Sequence, residues 1–181
     1  MSTCGRSCIC DFLFKDFEWV DLATTMDSAL PKRPGIYALR LNIGENEDSL
    51  TLRNKILEAY NIAMSILKKA NWRRLTKYWG PRIERIKRID PLTCPIIYIG
   101  GTGKGEGTIR SRFADLAGWR HTIFPCILAL RLAGWNIHFG YRTVNRGEEA
   151  FKMEEKLIRQ YMEIHGTPPA LNKKVKLNNP K

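Results

Sequence analysis

Three short stretches of the chain carry the apolar pattern of strands, and the longer stretches around them carry that of helices. At 35–42, Ile36, Ala38 and Arg40 share one face and Tyr37, Leu39 and Leu41 the other. Both faces are apolar at the start, as in a strand covered on two sides. Pro31 and Pro34 bracket the turn before it. A second strand is expected at about 96–100, behind Pro95. A third is expected where Trp135, Ile137, Phe139 and Tyr141 alternate with Asn136, His138, Gly140 and Arg142, which turns His138 away from the core. Asp48 or Ser49 can cap a helix whose apolar side holds Leu52, Ile56, Tyr60, Ala63, Ile66 and Leu67. A second helical stretch starts near Trp72 and carries Leu75, Trp79, Ile83, Ile86 and Ile89; Gly80-Pro81 should break or kink it. Thr108 can cap a helix containing Ile109, Arg112, Phe113 and Leu116. An apolar helix follows at about 123–133, ended by Gly134. The last helix, about 147–165, buries Phe151, Leu157, Ile158, Tyr161 and Met162 and ends at Gly166.

These elements predict one α/β domain, a small sheet layered by helices, with a helical insertion at about 44–93 between the first two strands. Residues 1–33 read as an N-terminal arm, some of whose aromatic residues pack on the core, and 173–181 as a basic tail. Periodicity does not give the strand order.

A chain of 181 residues that is 44% hydrophobic can bury a real core. Its formal net charge of +12 favours a polyanionic partner. DNA, RNA and an anionic membrane surface all qualify. No apolar run approaches the ~20 residues of a spanning helix, so a membrane is set aside. The N-terminus lacks the basic-then-apolar layout of a signal peptide, and an intracellular, cytoplasmic protein is expected. Much of the charge falls in the insertion. Arg73, Arg74, Lys77, Arg82, Arg85, Lys87 and Arg88 face only Glu84 and Asp90, and Trp and Tyr are interleaved with them. A run of nearly one sign with aromatic neighbours points to phosphate contact rather than plain solvation. Lys104 and Arg110, farther along, join the same nucleic-acid-binding set. The turn Gly101-Thr102-Gly103-Lys104-Gly105-Glu106-Gly107 lacks the Gly-x-x-x-x-Gly-Lys-Ser/Thr pattern, which excludes a nucleotide-hydrolase loop. The five cysteines are an odd number for a disulfide framework. Cys4, Cys8 and Cys10 cluster, but a zinc site needs four ligands and no nearby His completes this one. Cys94 or Cys126 are the candidates for a fourth; free thiols on the arm are the expected state.

Hydrolysis of a phosphodiester needs an attacking water, a proton acceptor, a cation against the extra phosphate charge and support for the leaving oxygen. Glu154 is the best-placed carboxylate. It lies three and four residues before Leu157 and Ile158, and three and four after Phe151 and Ala150. It therefore borders the apolar face, where an unpaired carboxylate is costly unless a metal or cation meets it. Glu155 also borders that face but pairs naturally with Arg159 at i+4.

The order of motifs resembles the GIY-YIG nuclease family. Gly35-Ile36-Tyr37 comes first and Tyr98-Ile99-Gly100 second. Arg112 follows on a short helix, Glu154 precedes Leu157-Ile158 on a longer one, and Pro169-x-x-Asn172 comes last. The resemblance covers about 34–172. It implies a three-stranded, mainly antiparallel sheet flanked by helices and a phosphodiester-hydrolysing endonuclease. It also implies Mg²⁺ or Mn²⁺ held at Glu154, with Glu155 as the alternate. Tyr37 and Tyr98 would take the family's tyrosine roles, usually with the first as general base or water positioner. An unperturbed Tyr has a pKa of about 10 and would need a bound cation or nearby positive charge to act as a base at neutral pH. Arg112 would contact phosphate, and Asn172 would take the family's structural or active-site Asn role. Many members carry His, Tyr or Lys one helical turn after this Arg. Here that position is Leu116, and His121 is the candidate to reach the site by another path. The large insertion in a chain that is nearly all nuclease module resembles the restriction-type branch acting on duplex DNA. A structure-specific repair or recombination nuclease, and a DNA-binding module without catalysis, are the rivals. A palindromic target would favour a homodimer by symmetry.

Overall fold

The computed structural model describes residues 8–44, 47–69, 73–103, 107–118 and 120–173, with backbone only for 73–76. Four strands form one antiparallel sheet: β1 (Glu18–Asp21), β2 (Gly35–Asn42), β3 (Ile96–Gly101) and β4 (Asn136–Thr143), in spatial order β1-β4-β2-β3. Five helices surround it: α1 (Ser49–Lys69), α2 (Arg73–Ile83), α3 (Ile109–Ala117), α4 (Phe124–Leu132) and α5 (Gly147–His165).

The expected three-stranded sheet is thus corrected to four. The added strand lies in the segment read as an arm. Only four residues long and flanked by acids, Glu18-Trp19-Val20-Asp21 offers too little alternation to register as a strand. It pairs with β4 by placing Trp19 opposite Gly140. A Cβ at Gly140 would lie 2.6 Å from the indole, so only glycine admits the ring there, and the Arg40 guanidinium covers the indole at 4.0 Å.

Helices cover both faces of the sheet, which explains why β2 is apolar on both sides. On one face Tyr37, Leu39 and Leu41 pack with Ile97, Ile137 and Phe139 under Leu52, Ile56 and Ala63 of α1, Phe113 of α3 and Ile127 of α4. On the other, Ile36, Ala38 and Ile99 meet Leu157, Ile158 and Tyr161 of α5, together with Phe14, Phe17, Cys8, Cys10 and Cys94. A bulge in the β2–β3 pairing, where Leu39 faces Tyr98 but Arg40 faces Ile96, leaves Ile97 as the extra residue. Ile97 and Tyr98 therefore both look onto the first face, although they are consecutive.

The insertion folds as expected at its start, with α1 burying Leu52, Ile56, Ala59, Ala63 and Leu67. Of the break or kink expected at Gly80-Pro81, the break does not occur. Helix α2 runs through Pro81 to Ile83, and only then tightens into the 3-10 helix Glu84–Arg88. Proline here removes a single helical hydrogen bond close to the helix end. Thr108 caps α3 through a reciprocal pair with Ser111. The first turn of α3 docks on the arm. Ile109 N–H donates to Arg33 O, Arg110 N–H to Pro31 O, and the Arg110 side chain to Leu30 O and Ser28 O. Helix α5 ends at Gly166, whose φ of +72° favours glycine. Among the described residues, no helix is long and apolar enough to cross a membrane.

Candidate active site

Strand β3 is an edge strand, and the site lies along its free edge, where the two faces of the sheet meet. The chain after α5 closes that edge. Leu171 N–H donates to Ile97 O at 2.9 Å. The Asn172 amide takes both groups of the next edge residue, accepting from Ile99 N–H at 2.9 Å and donating to Ile99 O at 2.7 Å. Asn172 is 6% exposed and its amide is committed to this backbone clamp, so it positions the strand. A cleft of about 220 Å³ opens beside it, lined by Arg82, Arg85, Tyr98, Thr122, Glu154 and Asn172 among others.

Tyr37 does not line this cleft. It is 2% exposed, stacked on Phe139, and its ring lies 6.0 Å from that of Tyr98. Its hydroxyl meets His121 Nε2 at 3.0 Å. His121 Nδ1 accepts from Ile123 N–H at 3.3 Å, which assigns the ring proton of the neutral imidazole to Nε2. Nε2–H then donates to the Tyr37 oxygen, and the Tyr37 and Tyr98 rings lie side by side. The result is a packed group of His121, Tyr37 and Tyr98, of which Tyr98 lines the cleft. Gly100 makes room for it. A Cβ there would sit 2.6 Å from the Tyr37 hydroxyl oxygen and 2.8 Å from the Tyr98 ring.

Burial drives the titration of all three groups. It pushes Tyr37 well above the ordinary phenol value, with the Tyr98 hydroxyl adding to the effect and Arg112 opposing it. Burial and then Glu154 push Tyr98 up to about 12, against the Tyr37 hydrogen bond and the Arg112 and Arg82 charges. Burial and then Arg112 bring His121 down to about 4. At neutral pH both tyrosines are phenols and His121 is uncharged.

Glu154 reaches the same edge from α5 on the opposite face. Burial raises its carboxyl to about 7, against a hydrogen bond from Gly101 N–H and the charge of Arg112. Arg112 lies in the first half of α3. Its Nη1 bonds Asp115 Oδ2 and its Nη2 bonds Thr102 O, each at 3.3 Å, and its Nε is buried without a partner. Two of its five donors are thus used to hold it, and its charge acts on Tyr37, Tyr98, His121 and Glu154 together.

The basic residues of the insertion divide. Arg82 stacks on Tyr78 at 3.9 Å and donates to Tyr78 O, and Arg85 donates to Leu171 O at 3.1 Å; both line the cleft. Burial and the neighbouring Arg82 and Arg88 charges lower the Arg85 pKa, the signature of crowded cations that an anion would relieve. Lys87 is matched locally by Glu84 at 2.9 Å and by the Tyr60 ring at 4.0 Å. Arg88 lines a different cavity beside Cys94, and Lys77 is exposed on α2. Arg110 is occupied by the carbonyls of 28–30. The side chains of Arg73 and Arg74, and all of Lys104, lie outside the described residues. Glu155 points outward and pairs with Arg159 at 3.7 Å, as its spacing predicted. His138 is half-buried on β4, with burial and Arg40 lowering its pKa.

Sequence reasoning missed Thr102, which is 1% exposed. It pairs with Gly35 through its amide and its hydroxyl, and its carbonyl receives Arg112. A Thr in a glycine-rich turn carries no signal of such burial. Comparison with protein-family models, with curated proteins and with solved structures finds no match to this chain.

Proposed function

We propose that the chain is a divalent-metal-dependent DNA endonuclease of the GIY-YIG type, acting on duplex DNA as a restriction-type enzyme. One observation carries the reading. Side chains from separate elements converge on a single edge of the sheet. They are Tyr37 from β2, Tyr98 from β3, Arg112 from α3, His121 from the turn before α4 and Glu154 from α5.

The donor set at Glu154 fits a hard cation. It is a desolvated carboxylate facing a cleft. Among the described residues, three or more metal-ligating side chains gather only elsewhere. A single carboxylate completed by water and a substrate phosphate suits Mg²⁺ or Mn²⁺. When bound, the cation would neutralise phosphate charge and polarise the scissile bond. The chain's own groups account for the rest. Arg82 and Arg85 contact the backbone phosphates at the rim. Arg112 supplies a fixed positive charge against the charge that develops in the transition state. Tyr98 presents the hydroxyl nearest the substrate and orients the attacking water. Tyr37 and His121 pack against its ring from behind. Both phenols titrate far above neutrality, so they position water rather than act as pre-formed bases.

A nicking assay on supercoiled plasmid tests the reading. Cleavage that requires Mg²⁺ and is lost in Glu154→Gln is expected, and discrete fragments identify a recognition sequence. Scattered nicks or cleavage confined to branched substrates would favour a structure-specific nuclease. DNA binding with no cleavage by the wild type under any divalent cation would leave only a binding module.

A further inference from the structure

Far from Glu154, three cysteines and a histidine from three parts of the chain meet on the α5 face of the sheet. Cys8 and Cys10 come from the segment before the 3-10 turn Asp11–Phe14, Cys94 from the residues entering β3, and His165 from the last position of α5. Cys10 Sγ lies 3.3 Å from Cys8 Sγ and 3.5 Å from Cys94 Sγ, and Cys8 Sγ lies 3.7 Å from His165 Nε2. All four ligand atoms fall within 4.8 Å of one another, and the three cysteines are buried. We infer that this is a structural zinc site with a Cys3His ligand set, formed by Cys8, Cys10, Cys94 and His165.

Geometry selects the ion. Thiolates about 2.3 Å from a tetrahedral zinc stand about 3.8 Å from each other, and an imidazole nitrogen at about 2.0–2.1 Å stands about 3.6 Å from each sulfur. Three of the six separations, at 3.3, 3.5 and 3.7 Å, come within about half an ångström of that size, and all four atoms stay within 4.8 Å of one another. They are too short to surround a multi-iron cluster, whose cysteines enclose several metal atoms. A sulfur-rich tetrahedral set also disfavours the oxygen-seeking cation expected at Glu154. With four protein ligands no position is left for substrate, so the site is structural rather than catalytic.

The surroundings fit as well. Ile96 and Tyr161 line the same small cavity as Cys94 and His165, so the groups that would surround the ligands are held together there. The Tyr161 ring lies 4.4 Å from that of His165 and fixes its plane. A cavity of about 150 Å³ lined by Cys94, Tyr161 and His165 gives the ion a way in. The chemistry balances simply. Three thiols release three protons as they bind Zn²⁺, and the neutral imidazole contributes a lone pair.

The arrangement revises the view of these cysteines as free thiols. The missing His was not nearby in sequence because it stands 157 residues from Cys8. Cys126, the other candidate ligand, is buried elsewhere, with its thiol on Arg82 O at 3.4 Å. The ion would tie the arm to the start of β3 and the end of α5, the elements that carry Tyr98 and Glu154.

The test uses the full chain and does not depend on nuclease activity. Protein expressed with zinc in the medium should hold about one zinc per chain. The cobalt-substituted protein should show the intense visible bands of a tetrahedral ion and thiolate-to-cobalt charge transfer. Removing zinc with a strong chelator should lower the Tm by about 10 °C or more. Cys94→Ser and His165→Ala should each weaken zinc binding at least about tenfold. Cys126→Ser and Glu154→Gln should keep the full metal content. Any of three results would overturn the proposal: folded wild-type protein without zinc whose Tm ignores the chelator, a six-coordinate cobalt spectrum, or a disulfide among Cys8, Cys10 and Cys94. The cobalt spectrum and the chelator are read on wild-type protein, so an unstable variant does not blunt the test.

Discussion

Gly101 and Glu154 are fitted to each other. A Cβ at 101 would lie 2.7 Å from Glu154 Oε2 and 3.2 Å from Ala150 O. Gly101→Ala should therefore displace the carboxylate from the cleft while the rest of α5 stays packed. Cleavage should fall at least about tenfold, the rate that corresponds to 1.4 kcal/mol of lost transition-state stabilisation. Circular dichroism and plasmid nicking on the same sample check this; unchanged cleavage would mean that the carboxylate is not needed at that position.

The pH dependence follows from the direction of the Glu154 shift. Its carboxyl is raised from the ordinary 4.5 to about 7 by burial. In the cation-free protein, the stability that comes from keeping Glu154 protonated is complete below 4.5 and is lost as pH rises through 7. The loss is on the order of 3 kcal/mol. A divalent cation binds the ionised form and offsets that loss. Mg²⁺ should raise the Tm clearly at pH 8 and little at pH 5.5, measured by thermal denaturation at fixed ionic strength. An equal shift at both pH values would separate Mg²⁺ binding from Glu154.

The two tyrosines should rank in the order of their access to the cleft, the reverse of what the motif order implies. Tyr98→Phe removes the hydroxyl that faces substrate, whereas Tyr37→Phe removes one that acts through it. Tyr98→Phe should lower kcat more, and Tyr37→Phe should lower kcat with little change in KM. Single-turnover kinetics on a defined duplex decide the order.

Arg82 and Arg85 should dominate the electrostatic contact with DNA. Log affinity falls with log salt by roughly 0.9 for each phosphate contact on duplex DNA. Changing both to Ala should flatten that slope by about 2 and weaken all sequences alike. Lys87→Ala, whose charge is met by Glu84 and Tyr60, should leave the slope unchanged. A titration by fluorescence anisotropy across salt concentrations reads both.

Asn172→Ala strips Ile99 of both its edge partners and should destabilise the fold by about 1–3 kcal/mol for each buried group left unpaired. Asn172→Asp keeps the acceptor for Ile99 N–H but sets an oxygen against Ile99 O, so it should not restore stability. Urea denaturation of the two variants checks the pair.

Much of this architecture was legible in the chain. Long, strongly patterned elements such as α1 and α5 declare themselves through spacing, and Thr108 and Gly166 mark helix ends by local chemistry. The convergence of Tyr98 and Glu154 was accessible only through motif order, because periodicity says nothing about which edge two elements share. Strand β1 was hidden, since its stability comes from Trp19 lying on Gly140 across the sheet rather than from its own four residues. The ranking of the tyrosines was hidden for a similar reason. Both sit in apolar strands, and only the strand order, with β2 inside the sheet and β3 at its edge, decides which faces the cleft. His165 was invisible as a partner of Cys8 because the contact spans almost the whole chain.

The closure of β3 by Leu171 and Asn172 bears on how the protein survives at high concentration. An uncovered edge strand of Ile96-Ile97-Tyr98-Ile99 is a template on which another chain can add a strand. The turn after α5 occupies the hydrogen-bonding groups such an intruder would use. A chain cut before Leu171 should consequently fail first by aggregation, through intermolecular sheet extension along β3, before its helices lose their packing.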